Sequence, residues 1–138
     1  MASKITDVGD ISNWNTSKME NCDNMFEQCQ SLTSLNLYNW TTSACTESMD
    51  FLGGPYNDSL TTIVLGPNFF TNPTKEYGFF VNARHWSHDS IIESLITNQQ
   101  TRDTSLVKTI TLNNSIYNTL TQNEIDEMAA LGLNVISN

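Results

Sequence analysis

At 138 residues with 38% hydrophobic side chains, the chain suits a single domain with one core, and the modest apolar content fits a thin, repetitive one. The net charge is −9 and the six basic residues, Lys4, Lys18, Lys75, Arg84, Arg102 and Lys108, are scattered, which argues against a partner among nucleic acids or anionic membrane surfaces. No run of about 18 apolar residues is present, so no membrane insertion is expected.

The N-terminal stretch Met1–Asp7 has no hydrophobic segment of the export-signal kind. Residues 5–11 follow as a short cap, with Val8 and Ile11 in strand positions. The chain then repeats itself. Ile11-Ser-Asn-Trp-Asn-Thr-Ser17 is echoed by Leu37-Tyr-Asn-Trp-Thr-Thr-Ser43, with Asn13, Trp14, Thr16 and Ser17 each 26 positions before Asn39, Trp40, Thr42 and Ser43. A period of this size predicts a solenoid, in which each unit stacks on the next because it cannot bury its apolar face alone. Trp14 and Trp40 are expected to turn inward together. After each Trp box, Met19, Cys22, Met25 and Phe26, then Cys45, Ser48, Phe51 and Leu52, fall on one face of a short helix or of 3₁₀ turns. Each unit ends in an extended L-x-x-L-x-L stretch, Leu32–Leu37 and Leu60–Leu65, with Gly53–Asp58 as a two-residue insertion in turn chemistry.

These residues carry a family resemblance. Trp14, Thr16, Ser17, Met19, Asn21, Met25, Phe26, Cys29, Ser31 and Leu32 resemble the BspA-type leucine-rich repeat of bacterial surface proteins. Asn39, Trp40, Thr42, Ser43 and Leu60 extend the likeness into the second copy. That copy departs at Cys45, Ser48, Phe51 and Leu52. The likeness spans residues 5–66, about half of the chain, and it implies a fold rather than an activity, since such proteins are mostly adhesive or structural.

Cys22, Cys29 and Cys45 all fall at positions the repeat turns inward. The expectation is buried free thiols, with a Cys22–Cys29 disulfide as the alternative. No metal site or cofactor is expected, because His85 and His88 lie far along the chain and no C-x-x-C is present.

Gly66-Pro67 and Asn72-Pro73 end the repeats, and residues 67–85 form an aromatic loop region. Phe69, Phe70, Tyr77, Phe79 and Phe80 there read as a packing seam, or else as a surface for a sugar ring or protein. Residues 86–138 read as helix, strand, helix, strand. Ser87 caps a helix with the stripe Ile91, Ile92, Leu95, Ile96, which Asn98 ends. Ser105–Leu112 is a strand with Leu106, Ile110 and Leu112 on its apolar parity. Thr121 and Glu124 form a capping box, Gly132 stops the helix, and Leu133–Ile136 is the last strand.

The fold class expected is therefore α/β: a short leucine-rich-repeat-like solenoid in one domain, with short parallel strands, turns or short helices, and two longer C-terminal helices. The four N-x-S/T sequons, at Asn15, Asn39, Asn57 and Asn113, follow from composition. The carboxylates are dispersed and no nucleophile or phosphate-binding motif is present, so the chain is read as non-catalytic. Outward strand positions Asn36, Tyr38, Thr62, Val64, Thr109 and Thr111 would form the binding face. Its expected partners are proteins, whether copies of itself in a homo-oligomer or virion proteins, or a host-surface glycan or protein. The expected setting is a bacteriophage particle, as a capsid, tail or fibre decoration, with a fragment of a bacterial cell-surface adhesin as the alternative. A hydrolase using His85 and His88 is the competing class.

Overall fold

In the computed structural model, residues 7–27, 29–45, 51–52, 57–74 and 76–138 are described. They form a mixed helix-and-strand fold with short parallel strands in two small sheets. The first sheet pairs β1, Ser34–Leu37, with β2, Thr62–Leu65, in parallel register Leu35 to Ile63 and Leu37 to Leu65. The second orders β3, Glu76–Tyr77, β4, Lys108–Leu112, and β5, Leu133–Ser137, again all parallel. Three helices complete the fold: α1 at His88–Leu95, α2 at Asn114–Tyr117 and α3 at Gln122–Ala130.

The strands are short because each contributes only two or three inward side chains before a turn. Leu35, Leu37, Ile63, Leu65, Ile110 and Leu112 are buried, while the residues between them face outward. The repeat seen in the sequence reappears as repeated hydrogen bonds. Trp14 N–H donates to Ile11 O at 3.1 Å, and Trp40 N–H donates to Leu37 O at 3.0 Å. Met19 N–H reaches Thr16 O, and 26 residues on Cys45 N–H reaches Thr42 O. The offset of 28 in the later half of the unit is matched too: Leu32 N–H bonds Cys29 O and Leu60 N–H bonds Asn57 O.

Side chains then tie one turn of chain to the next. The Trp40 indole N–H donates to Ile11 O at 2.7 Å. Asn39 donates to the Asn13 amide oxygen at 2.6 Å. The Thr16 hydroxyl donates to Thr41 O and accepts from Thr41 N–H, both at 2.9 Å. The Thr42 hydroxyl reaches Phe69 O. These bonds explain why Thr and Asn recur at fixed places: the Thr hydroxyls satisfy backbone groups that no strand ladder reaches, and the Asn13–Asn39 pair joins side chain to side chain.

Cys22 and Cys45 form a disulfide, with Cα atoms 6.6 Å apart. This corrects the expectation of free buried thiols there and its Cys22–Cys29 alternative. Cys29 is the free thiol, half-buried, and burial raises its pKa. The pairing escapes the repeat logic because it joins non-equivalent positions: Cys45 stands where Met19 stood, not where Cys22 stood. Closing a loop of 23 residues stabilises the fold by about 3 kcal/mol in the chain-entropy account.

β2 has a second edge, and no strand among the described residues covers it. Helix α1 does. The Ser90 hydroxyl accepts from Ile63 N–H at 3.0 Å and donates to Ile63 O at 2.8 Å. The Ser94 hydroxyl accepts from Leu65 N–H at 3.0 Å and also donates to Ile63 O. Asn98 and Gln99, beyond the helix, donate to Leu65 O and Gly66 O. Serines four apart on a helix lie about 6 Å apart along its axis, close to the two-residue repeat of a strand edge, so the helix can stand in for the missing strand.

The aromatic region is a packing seam. Phe69, Phe70, Tyr77, Phe79 and Phe80 are all buried. Phe69 lies 5.3–6.4 Å, centroid to centroid, from the rings of Phe51, Phe70, Tyr77, Phe79 and Phe80. From Phe51 the contacts continue through Phe26 to Trp40 and out to Trp14.

The C-terminal elements form near the expected places. Ser87 caps α1, and Thr121 with Glu124 makes a complete capping box on α3. The short helix α2, capped by Asn113, occupies what reads from sequence as a turn. Leu106 does not take the inward slot expected of it: it is exposed, and Lys108 takes the inward parity with Ile110 and Leu112. The stretch around Met19–Phe26 is a series of turns rather than a helix, with Met25 exposed. The inward position expected of Ser48 lies outside the described residues.

Candidate binding surface

The outward positions read from the sequence divide between the two sheets. Asn36 and Val64 are register partners on β1 and β2, and Thr62 lies opposite Ser34. Asn36 and Tyr38 are exposed, while Thr62 and Val64 are half-buried. The Asn36 amide oxygen accepts the Tyr38 N–H at 3.1 Å, which fixes the turn leaving β1. Gly66 is required beside that turn, since a Cβ there would lie 1.9 Å from Tyr38 O. Thr109 and Thr111, both half-buried, lie on β4, opposite Asn134 and Ile136 of β5. The six residues thus make two separate strips rather than one ribbon.

Trp14 is the surface residue that periodicity misplaced. Its ring stacks on Trp40 with centroids 6.2 Å apart and planes 17° apart, so the two are successive members of one column as expected. Trp40 is buried at 1% exposure, but Trp14 is 59% exposed. The inward reading was right for the second indole and wrong for the first, whose ring is covered on one face only. The available signal was that Trp14 stands in the first of the two copies.

Two cations, Arg102 and Lys108, are buried and donate to backbone carbonyls. Arg102 donates to Phe70 O at 3.2 Å, to Leu106 O at 2.9 Å and to Leu131 O, and so ties three segments together. Burial lowers its pKa, with Tyr77 and Asp103 opposing that shift. Gly132 backs this site at φ +82°, where a Cβ would meet Arg102 and Thr104 O at 2.7 Å. Lys108 donates to Thr74 O at 2.9 Å and to Asn72 O. Near these groups the Tyr77 hydroxyl is pushed up to about 12, chiefly by burial. It sits 2.6 Å from the Thr42 hydroxyl and accepts from Asn72 N–H at the same distance.

The histidines do not share a cleft. His85 is exposed in a turn. His88 Nε2 lies 2.9 and 3.0 Å from the two Glu124 oxygens, and its Nδ1 is 3.9 Å from Asp89. Both ring nitrogens therefore face carboxylates, and neither is offered to a nucleophile. Glu124 also accepts the Thr121 N–H at 2.8 Å, so the contact clasps the start of α1 to the start of α3. Among the described residues, no group of three or more His, Cys, Asp or Glu is placed to hold a metal ion. No helix among them is long and apolar enough to cross a membrane.

The clasp has a pH signature. The Thr121 N–H first, and His88 second, hold the Glu124 carboxyl below its ordinary 4.5. Ser12 and Ser105 likewise lower Asp10 and Asp103 from 3.8. A carboxylate depressed by folding adds stability above its unfolded value, and that stability is lost as pH falls through the folded one. Thermal melts should therefore hold level above about pH 5 and fall below about pH 4.5. In Glu124→Gln the melting temperature should be lower near neutrality, and the gap should close as the pH drops below about 4. A gap that persists in acid would mean that the clasp acts by shape rather than charge.

Two of the sequons have a structural explanation. Asn15 and Asn113 each accept the N–H and hydroxyl of the serine two residues on, as do Asp10 and Asp103 outside the sequons. The recurring Asx-x-Ser pattern is turn chemistry.

Comparison with known proteins matches residues 2–59 to the family described as "Mycoplasma protein of unknown function, DUF285". The match covers the repeat region up to residue 59, short of Leu60–Leu65, and less than half of the chain. No curated protein matches. No solved structure matches either.

Proposed function

We propose that the chain is a non-catalytic structural and adhesive module, a short BspA-like, leucine-rich-repeat solenoid displayed outside the cell as a capsid, tail or fibre decoration of a bacteriophage. The observation that carries this reading is the set of side-chain rungs between successive turns of chain: Asn39 to its repeat equivalent Asn13, the Trp40 indole to Ile11 O, and the Thr42 hydroxyl to Phe69 O. Such bonds make a stiff stack from a polar sequence and leave its outer strips free for a partner. The Cys22–Cys45 disulfide supports an extracellular setting, because such bonds persist in oxidising surroundings. Proteins and glycans with neutral hydrogen-bonding surfaces fit strips made of Asn36, Tyr38 and Thr62, or of Thr109 and Thr111.

A second reading, which the Cys22–Cys45 disulfide supports equally, is a fragment of a bacterial cell-surface adhesin. Mass analysis of purified virions and of cell-envelope fractions separates the two. Recovery of the chain with virions, with Cys22 and Cys45 bonded, supports the first. Recovery from the envelope within a longer, repeat-bearing polypeptide supports the second. Recovery only from cytosol with both thiols reduced would sink both.

A further inference from the structure

We propose that the open face of the first repeat, residues Asp10–Ser17, is a self-association surface on which a second copy of this chain lays the same segment, indole against indole. The proposal rests on the stacked-turn reading above, because that reading shows what covers this kind of face. Trp40 presents one ring face to the preceding turn, and Trp14 fills it at 6.2 Å. Trp14 presents the equivalent face to solvent, at 59% exposure.

The polar groups around it repeat the same asymmetry. The Trp40 indole N–H is bonded to Ile11 O, whereas the Trp14 indole N–H has no partner among the described residues. The Asn39 amide donates to Asn13, whereas the Asn13 amide N–H has no such acceptor among them. Thr41 N–H and O both meet the Thr16 hydroxyl. The equivalent backbone groups of Asn15, 26 residues earlier, meet no side chain among the described residues. The face thus carries a flat ring, two side-chain N–H donors, a backbone donor and a backbone acceptor.

The backbone part of that inventory complements itself. A two-fold axis through the face sets ring on ring and the Asn15 N–H of each copy against the Asn15 O of the other, with the indole and Asn13 N–H groups left to water at the rim and an isologous interface as the result. Charge opposes the contact: around the first turn, Asp7, Asp10 and Glu20 stand exposed against Lys18. Added salt screens that repulsion, so the pair should tighten as ionic strength rises, the reverse of a salt-bridged interface.

The test is light scattering and sedimentation of the full chain over a range of concentrations, at low and high salt. The expected result is a monomer–dimer equilibrium that salt shifts toward dimer. Trp14→Ala should weaken the dimer about tenfold or more, as loss of a central aromatic does. Val107→Ala, which removes a side chain 54% exposed elsewhere, should leave it unchanged. A wild-type chain that stays monomeric throughout, a Trp14→Ala variant that still dimerises, or Val107→Ala abolishing the dimer would each overturn the proposal. So would a soluble N-acetylglucosamine oligomer that quenches Trp14 fluorescence while the chain stays monomeric. The far-UV exciton signal of the Trp14–Trp40 pair separates two kinds of failure. A monomer that keeps the signal refutes self-association alone, and a chain without it refutes the stacked-turn reading as well.

Discussion

Phe69→Ala is expected to cost about 3–5 kcal/mol, the range for emptying a fully buried aromatic site. Phe69 is 0% exposed and touches five other rings, from Phe51 on the repeat side to Tyr77 and Phe80 on the other. The neighbours cannot close over the hole easily, because each is also held from behind: Phe51 by Phe26 and Phe79, Phe80 by Trp86. In a chain of this size the loss should lower the melting temperature by roughly 10–15 °C. Phe69→Leu, which keeps most of the volume, should cost about 1.5 kcal/mol or less. Urea denaturation of the three proteins checks this. Equal costs for Ala and Leu would mean that the seam is loosely filled.

The second large effect lies where α1 replaces a strand. Ser90→Ala removes the acceptor of Ile63 N–H and of the Trp86 indole N–H. Ser94→Ala removes the acceptor of Leu65 N–H. Each single change should cost about 2 kcal/mol, the cost of stranding a buried donor. The two share Ile63 O, which keeps one hydroxyl donor after either change and loses both in the double variant. The double variant should therefore cost about 5 kcal/mol, more than the sum of the singles. Glu93→Ala, on the exposed side of the same helix, should change stability by less than about 0.5 kcal/mol. Strict additivity in a double-mutant cycle would show that Ile63 O is satisfied some other way.

These two sites mark what a sequence can and cannot disclose here. The 26-residue echo was legible because stacking turns must repeat their chemistry, and it correctly placed Leu35, Leu37, Ile63, Leu65 and Trp40 inside. The helix caps at Ser87 and Thr121 were legible for the same kind of reason, since a few local bonds decide them. Ser90 and Ser94 were not. On a helix they read as indifferent polar residues, and only the neighbouring strand edge gives them work. Arg102 and Lys108 were hidden in the same way, because the carbonyls they bond belong to distant backbone and carry no residue-type signal in the sequence. Trp14 failed in the opposite sense: the period was right, but a period says nothing of how far each member is covered. The outward strip was read as continuous because alternation is visible within a strand, whereas the division into two sheets depends on how distant segments meet.

The disulfide between Cys22 and Cys45 changes how the module would respond to being pulled. Traction lengthens a polypeptide as its turns let go, and 23 residues withheld behind a covalent link remove about 80 Å of slack at full extension. The Trp40-bearing turn lies within that locked span and the Trp14-bearing turn outside it, so under load the helical C-terminal part and the first turn should both unspool before the second turn.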